Sequence, residues 1–185
     1  MTQIKVSVLV GSLRQQSVTR KVARAFVGVA PSHLAFSFVE IGDLPLYNEE
    51  LEAQAPVNWA RFRNEVHSSD ALLFFTPEFN RGIPGALKNA IDVGSRPWGK
   101  GVWAGKPAGV ISQSYGGLGG MAAHHQLRQV LFGVGVAALP SPEAYIPNAG
   151  TLFDDQGNLN NPSTKEFATG FMKSFDAWVS QQRRQ

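Results

Sequence analysis

The chain has 185 residues, 43% hydrophobic and 17% charged, with 19 glycines, 11 prolines and a formal net charge of +3. That length suffices for one domain with a sizeable core, here taken as 1–185, and the scattered basic residues, Arg183-Arg184 apart, give no nucleic-acid footprint. With no cysteine present, disulfide frameworks, cysteine nucleophiles and thiolate metal sites are excluded.

No apolar stretch approaches the ~20 residues of a membrane helix. The opening MTQIKVSVLVGS reads as a strand rather than a secretory signal. A cytoplasmic protein without a membrane span is the expectation, and its mildly positive surface suits anionic small molecules.

Ile4 to Val10 is a β-rich apolar run that meets Gly11-Ser12. A helical pattern then begins near Ser17, a candidate N-cap, with Val18, Val22, Ala25, Phe26 and Val29 on one face. Ala35 to Ile41 alternates like a strand and turns at Gly42-Asp43-Leu44-Pro45. Pro56 to Ser68 follows as a helix with proline in its first turn. Ala71 to Thr76 (ALLFFT) is continuously apolar, as a strand covered on both faces must be. After the loop Pro77–Gly85 comes a helix over Ala86–Val93, then an irregular glycine-rich stretch, Ser95–Lys106. Pro107–Ser112 reads as a fourth strand, Met121–Phe132 as a helix, and Gly135–Leu139 as a short fifth strand. Ser141–Asn161 is polar and turn-rich. In the last helix Ser163 and Glu166 have capping-box spacing, and Phe167, Phe171, Phe175 and Trp178 form the stripe.

Strands alternating with helices five times predict a three-layer α/β sandwich around a five-stranded parallel sheet. In such sheets ligands sit beyond the carboxyl ends of the strands. Three unusual loops fall there: Gly11–Ser17, Pro77–Gly85 and Ser112–Gly120.

The first loop gathers Ser12, Arg14, Ser17 and Thr19 at a helix start, which suits a phosphate, although the same hydroxyls also suit a plain turn and cap. It lacks the Walker Gly-Lys-Ser/Thr and the later glycines of a dinucleotide fingerprint, so a phosphate monoester fits it best. The second loop sets Phe79 and Asn80 between two prolines and two glycines, a wall suited to a flat heteroaromatic ring. Lys88 and Asp92 have the spacing of an intrahelical pair. In the third loop, SQSYGGLGG, glycines permit close backbone approach. Its Gly117–Ala122 stretch matches G-x-G-x-x-A, but on the fourth strand rather than the first, which disfavours a dinucleotide site. His124-His125 has no carboxylate at metal-ligand spacing, so no metal is expected. No G-x-S-x-G elbow is present either. A binding edge without an acid–base set points to a cofactor that brings its own chemistry.

At GSLRQQSVTR (Gly11–Arg20), TPEFNRGIPGALKNAID (Thr76–Asp92) and SQSYGGLGG followed by LRQVL (Leu127–Leu131), the chain resembles the NADPH-dependent FMN reductase family, flavodoxin-like quinone, azo-compound and chromate reductases. The resemblance, which with the strand and helix order spans nearly the whole chain, implies a flavodoxin-like fold. It implies FMN, with the phosphate held by Ser12, Arg14, Ser17, the Val18 backbone and Thr19. Pro77, Glu78, Phe79 and Asn80 would contact the isoalloxazine, and Ser112, Gln113, Ser114, Tyr115, Gly116 and Gly117 its pyrimidine side. Thr19 stands where the family often has Asn, and Phe79 where it usually has Tyr.

The resemblance further implies NADPH or NADH as donor, ping-pong transfer to a small-molecule electron acceptor, and a homodimer or homotetramer. Arg81 and Arg96 are candidates for steering an anionic nucleotide or acceptor, with Arg14 and Lys100 as further candidates. The alternatives are a flavodoxin-like electron carrier, disfavoured by the basic charge, and a nucleotide-binding regulator without flavin.

Overall fold

The structure, a computed structural model, describes residues 3–183. Its strands are β1 (Ile4–Val10), β2 (Leu34–Val39), β3 (Ala71–Pro77), β4 (Pro107–Gln113), β5 (Ala137–Ala138) and β6 (Ala144–Ile146). The α-helices are α1 (Val18–Gly28), α2 (Val57–His67), α3 (Gly85–Gly94), α4 (Met121–Gly133) and α5 (Pro162–Gln182). The sheet is parallel throughout, in the order β2-β1-β3-β4-β5, which is the flavodoxin-like winding.

Leu73 and Phe75 of β3 face one core with Val6, Val8, Phe26, Phe171 and Phe175. Leu72 and Phe74 face the other with Leu9, Trp59, Phe62, Leu87 and Trp103. Helices cover both sides, so the strand has no solvent face to alternate towards. Phe26 of α1 meets Phe75 and Phe171 edge-on, each at 5.7 Å, fixing the helix that starts beside the first loop.

The fifth strand is split. Ala137 and Ala138 pair with Pro107 and Ala108, and Ala144–Ile146 then pairs in parallel with Ile111–Gln113 along the same edge of β4. Between them lie Pro140 and Pro142, which have no N–H for a ladder, so the chain bulges out and returns. A sixth strand thus lies inside the stretch expected to be polar and turn-rich. The last helix also starts earlier than its capping-box spacing suggests. Asn161 is the N-cap, its side chain accepting from the Thr164 N–H at 2.9 Å, while the Ser163 hydroxyl donates to the Asn161 oxygen. Phe171 and Phe175 are buried as expected, whereas Trp178 is half-buried and donates to the Ala137 carbonyl. Lys88 and Asp92 do pair, at 2.8 Å. Among the described residues no helix is long and apolar enough to cross a membrane.

His124, on the first turn of α4, is fully buried, and neither ring nitrogen has a partner among the described residues. Tyr145 meets it edge-on at 4.7 Å. Burial lowers its pKa from 6.5 to about 4, with Arg128 and His125 adding to the shift and Glu143 opposing it. Between those two values the unfolded chain binds a proton that the folded chain refuses. Stability from this group is therefore complete above about pH 6.5 and falls as pH drops towards 4, by about 3 kcal/mol in all. Urea unfolding should show that the loss of stability from about pH 7 to 4 is smaller by roughly this amount in His124→Phe than in the parent.

Candidate functional site

The strand order reverses direction between β1 and β3, and the loops leaving these neighbours diverge to opposite faces. A cleft of about 520 Å³ opens there, a size suited to a small ligand. Gly11, Ser12, Leu13, Arg14, Val18 and Thr19 form one side. Pro77, Glu78, Phe79, Pro84, Gly85 and Ala86 form another, and Gln113 and Tyr115 complete it. Another cleft of about 490 Å³ lies over β1 and β2, lined by Lys5, Ser7, Ser37, Glu65 and Ser68, and none of the three loops reaches it.

Two helices begin at the cleft wall. Ser17 caps α1 by accepting from the Arg20 N–H at 3.1 Å, which leaves the N–H groups of Val18 and Thr19 without acceptors among the described residues. α3 starts behind Pro84, which has no capping side chain, so the Gly85 and Ala86 N–H groups likewise lack acceptors among the described residues. Both helices present their positive ends, and Arg14, exposed on the first loop, adds a full charge.

The floor is a buried polar pair. The Gln113 amide donates to the Thr19 hydroxyl at 2.8 Å, and the Gln113 amide oxygen is buried without a partner among the described residues. A buried acceptor left unpaired costs about 1–3 kcal/mol, a cost that a ligand donor would remove. Thr19 is itself only 2% exposed and faces Gln113, so its hydroxyl belongs to the floor rather than to the mouth of the first loop.

The three loops are brought together as the sequence leads one to expect, but several of their side chains bond to backbone groups. The Ser112 hydroxyl donates to the Gly119 carbonyl at 2.8 Å, and the Ser114 hydroxyl to the Gly116 carbonyl at 3.0 Å. Gly116 and Gly117 are exposed and lie outside the cleft lining. Glu78 reaches away to α4, where its carboxylate accepts from the Ala122 and Ala123 N–H groups. Asn80 and Arg81 form the exposed tip of a tight turn, with Arg81 3.4 Å from the Glu78 carboxylate.

Arg96 is not in this assembly. It follows the C-terminal end of α3, a whole helix away from Gly85, and lies over the Trp98 ring at 5.4 Å. Lys100 is exposed on the same segment. Leu13 and Ala86 line the cleft with no signal of their own in the sequence, and Pro84 and Gly85, which the sequence marks only as residues that set the loop, open a helix with free N–H groups.

Comparison with known proteins gives this geometry a context. The family model described as NADPH-dependent FMN reductase matches residues 4–151. A quinone reductase of Pseudomonas putida is 54% identical over 185 residues, covering 99% of each chain. A 2-hydroxy-1,4-benzoquinone reductase of a Burkholderia species is 39% identical, covering 97% of this chain and 98% of its own. Among solved structures, the flavoenzyme NAD(P)H:(acceptor) oxidoreductase FerB of Paracoccus denitrificans superposes with a TM-score of 0.91 at 39% identity, over 97% of this chain and 98% of that one. With a matching family model over most of its length and full-length relatives of this kind, the chain is an oxidoreductase that belongs to the NADPH-dependent FMN reductase family, whose chemistry uses FMN and NAD(P)H.

Proposed function

We propose that the protein is an NAD(P)H:quinone oxidoreductase that holds FMN in the cleft between the first and second loops. The observation that carries this reading is the cleft's division of labour. Two helix starts and Arg14 offer positive charge, the floor offers an unpaired amide oxygen, and Pro77, Phe79, Leu13 and Tyr115 offer apolar and aromatic wall. These suit a phosphate, a hydroxyl-bearing linker and a flat ring respectively. The FMN reductase family and the quinone reductase relatives support the same assignment.

When bound, FMN would supply hydride uptake from the reduced nicotinamide and two-electron transfer to the acceptor. The chain's own residues bind and orient. Ser12, Arg14, Ser17 and the Val18 and Thr19 N–H groups hold the phosphate, Thr19 acting mainly by fixing Gln113. Pro77 and Phe79 wall the ring, joined by the backbone of Glu78 and Asn80, and Gln113 and Tyr115 border its far side. Phe79 and Tyr115, 67% and 61% exposed, give the rim a flat aromatic landing place that donor and acceptor use in turn, which supports ping-pong order. Arg81 at the turn tip draws in anionic nucleotide, and Arg96 reaches the site only if a second subunit presents it. A homodimer or homotetramer is part of this reading, as is a cytoplasmic setting where NAD(P)H is made. Quinones are the favoured acceptors, with azo compounds, chromate and free flavin as lesser ones.

Steady-state assays on FMN-loaded protein, with NADH and NADPH against a panel of these acceptors, test the reaction. Rapid nucleotide oxidation with quinone and parallel double-reciprocal lines are expected. Nucleotide left untouched with every acceptor would favour an electron carrier instead. For the cofactor site, Arg14→Ala should weaken FMN about tenfold or more, the value of one charged hydrogen bond, while Lys100→Ala changes it less than about twofold. Equal FMN affinities in fluorescence titrations would overturn the assignment of the first loop.

A further inference from the structure

α4 begins without a cap of its own. Its N-cap is Gly120, held at φ 79°, where no side chain is available to accept from the first turn. A Cβ there would lie 2.9 Å from the Gln113 carbonyl oxygen, so a serine or aspartate could not take the place. The Ala122 and Ala123 N–H groups are served instead from another element: one oxygen of Glu78 accepts both, at 3.0 and 3.3 Å, across 44 and 45 residues. The carboxylate also sits at the positive end of the helix, where its charge is stabilised.

One turn further along α4, the Gln126 side-chain oxygen accepts from the Ile83 N–H at 2.7 Å. Glu78 and Ile83 flank the tight turn Phe79–Gly82, closed by hydrogen bonds of 2.9 and 3.0 Å between its ends. Asn80 and Arg81 at its centre have φ of 51° and 64°, a conformation unfavourable for residues with side chains. The strained turn is thus clamped to α4 on both sides. α4 in turn leads directly from the glycine loop that follows Gln113.

We propose that Glu78 is a positioning residue, whose carboxylate pins the Phe79 turn and the start of α4 into one rigid unit and thereby sets the spacing between two walls of the cleft. Its side chain acts through the helix; it is not itself the contact to the ring. The proposal rests on the function proposed above only in taking FMN as the probe.

The test compares Glu78→Ala, Glu78→Gln and the parent. Glutamine retains an oxygen that accepts both N–H groups, whereas alanine leaves them bare. In the cofactor-free protein, amide exchange at Ala122 and Ala123 should quicken at least tenfold in Glu78→Ala and stay near the parent rate in Glu78→Gln. FMN affinity by fluorescence should fall about tenfold in the alanine variant and recover to within about threefold in the glutamine variant. The induced circular dichroism of bound FMN should follow the same order. Unchanged exchange at both amides in Glu78→Ala would overturn the clamp. FMN affinity and dichroism unchanged despite faster exchange would reduce Glu78 to a stabiliser of α4 and overturn its positioning role. Equal loss of FMN in both variants would make the charge a direct ligand and also overturn it. If the parent itself bound no FMN, the proposed function would fail while the amide exchange still decided the clamp.

Discussion

A parallel sheet whose faces are both covered by helices has only its strand ends left for a ligand. That constraint governs everything else in this protein. Leu72 to Phe75 are buried on alternate sides by two separate cores, so no side chain in the middle of β3 can reach solvent. At the carboxyl ends the reversal between β1 and β3 sends α1 and α3 to opposite faces, and both helices turn their first N–H groups towards the gap. The cleft is a consequence of the winding, and its positive potential comes from the two helix starts together with Arg14.

Within the cleft, polar side chains do two different kinds of work. Ser112, Ser114 and Glu78 are committed to hydrogen bonds that shape the loops. Gln113 is different, because its amide is fixed at one end by Thr19 and has no partner at the other among the described residues. Rigid loops around one unsatisfied floor acceptor match a cofactor enzyme, where the protein supplies binding and orientation while the cofactor supplies the reaction.

Much of this was legible in the sequence. The β1 run into Gly11-Ser12, the double-faced ALLFFT strand and the three loops all follow from patterns with a period or a turn residue behind them. The split of the last strand was not, because two closely spaced prolines, Pro140 and Pro142, look like the end of a strand rather than an interruption. Asn161 was hidden by the better-known serine spacing two residues on. Thr19 to Gln113 and Glu78 to Ala122 were also invisible, since each joins residues far apart in sequence through side chains whose direction depends on tertiary packing. Arg96 shows the opposite case: its charge suggested a ligand role, but helix length carries it away from the cleft.

The phosphate of FMN is what we propose the first loop and the two helix starts hold. Titration of cofactor-free protein with FMN and with riboflavin, which differ only by that phosphate, tests it most directly. FMN should bind at least about 100-fold more tightly, the equivalent of roughly 2.7 kcal/mol. Equal affinities for the two flavins would contradict it.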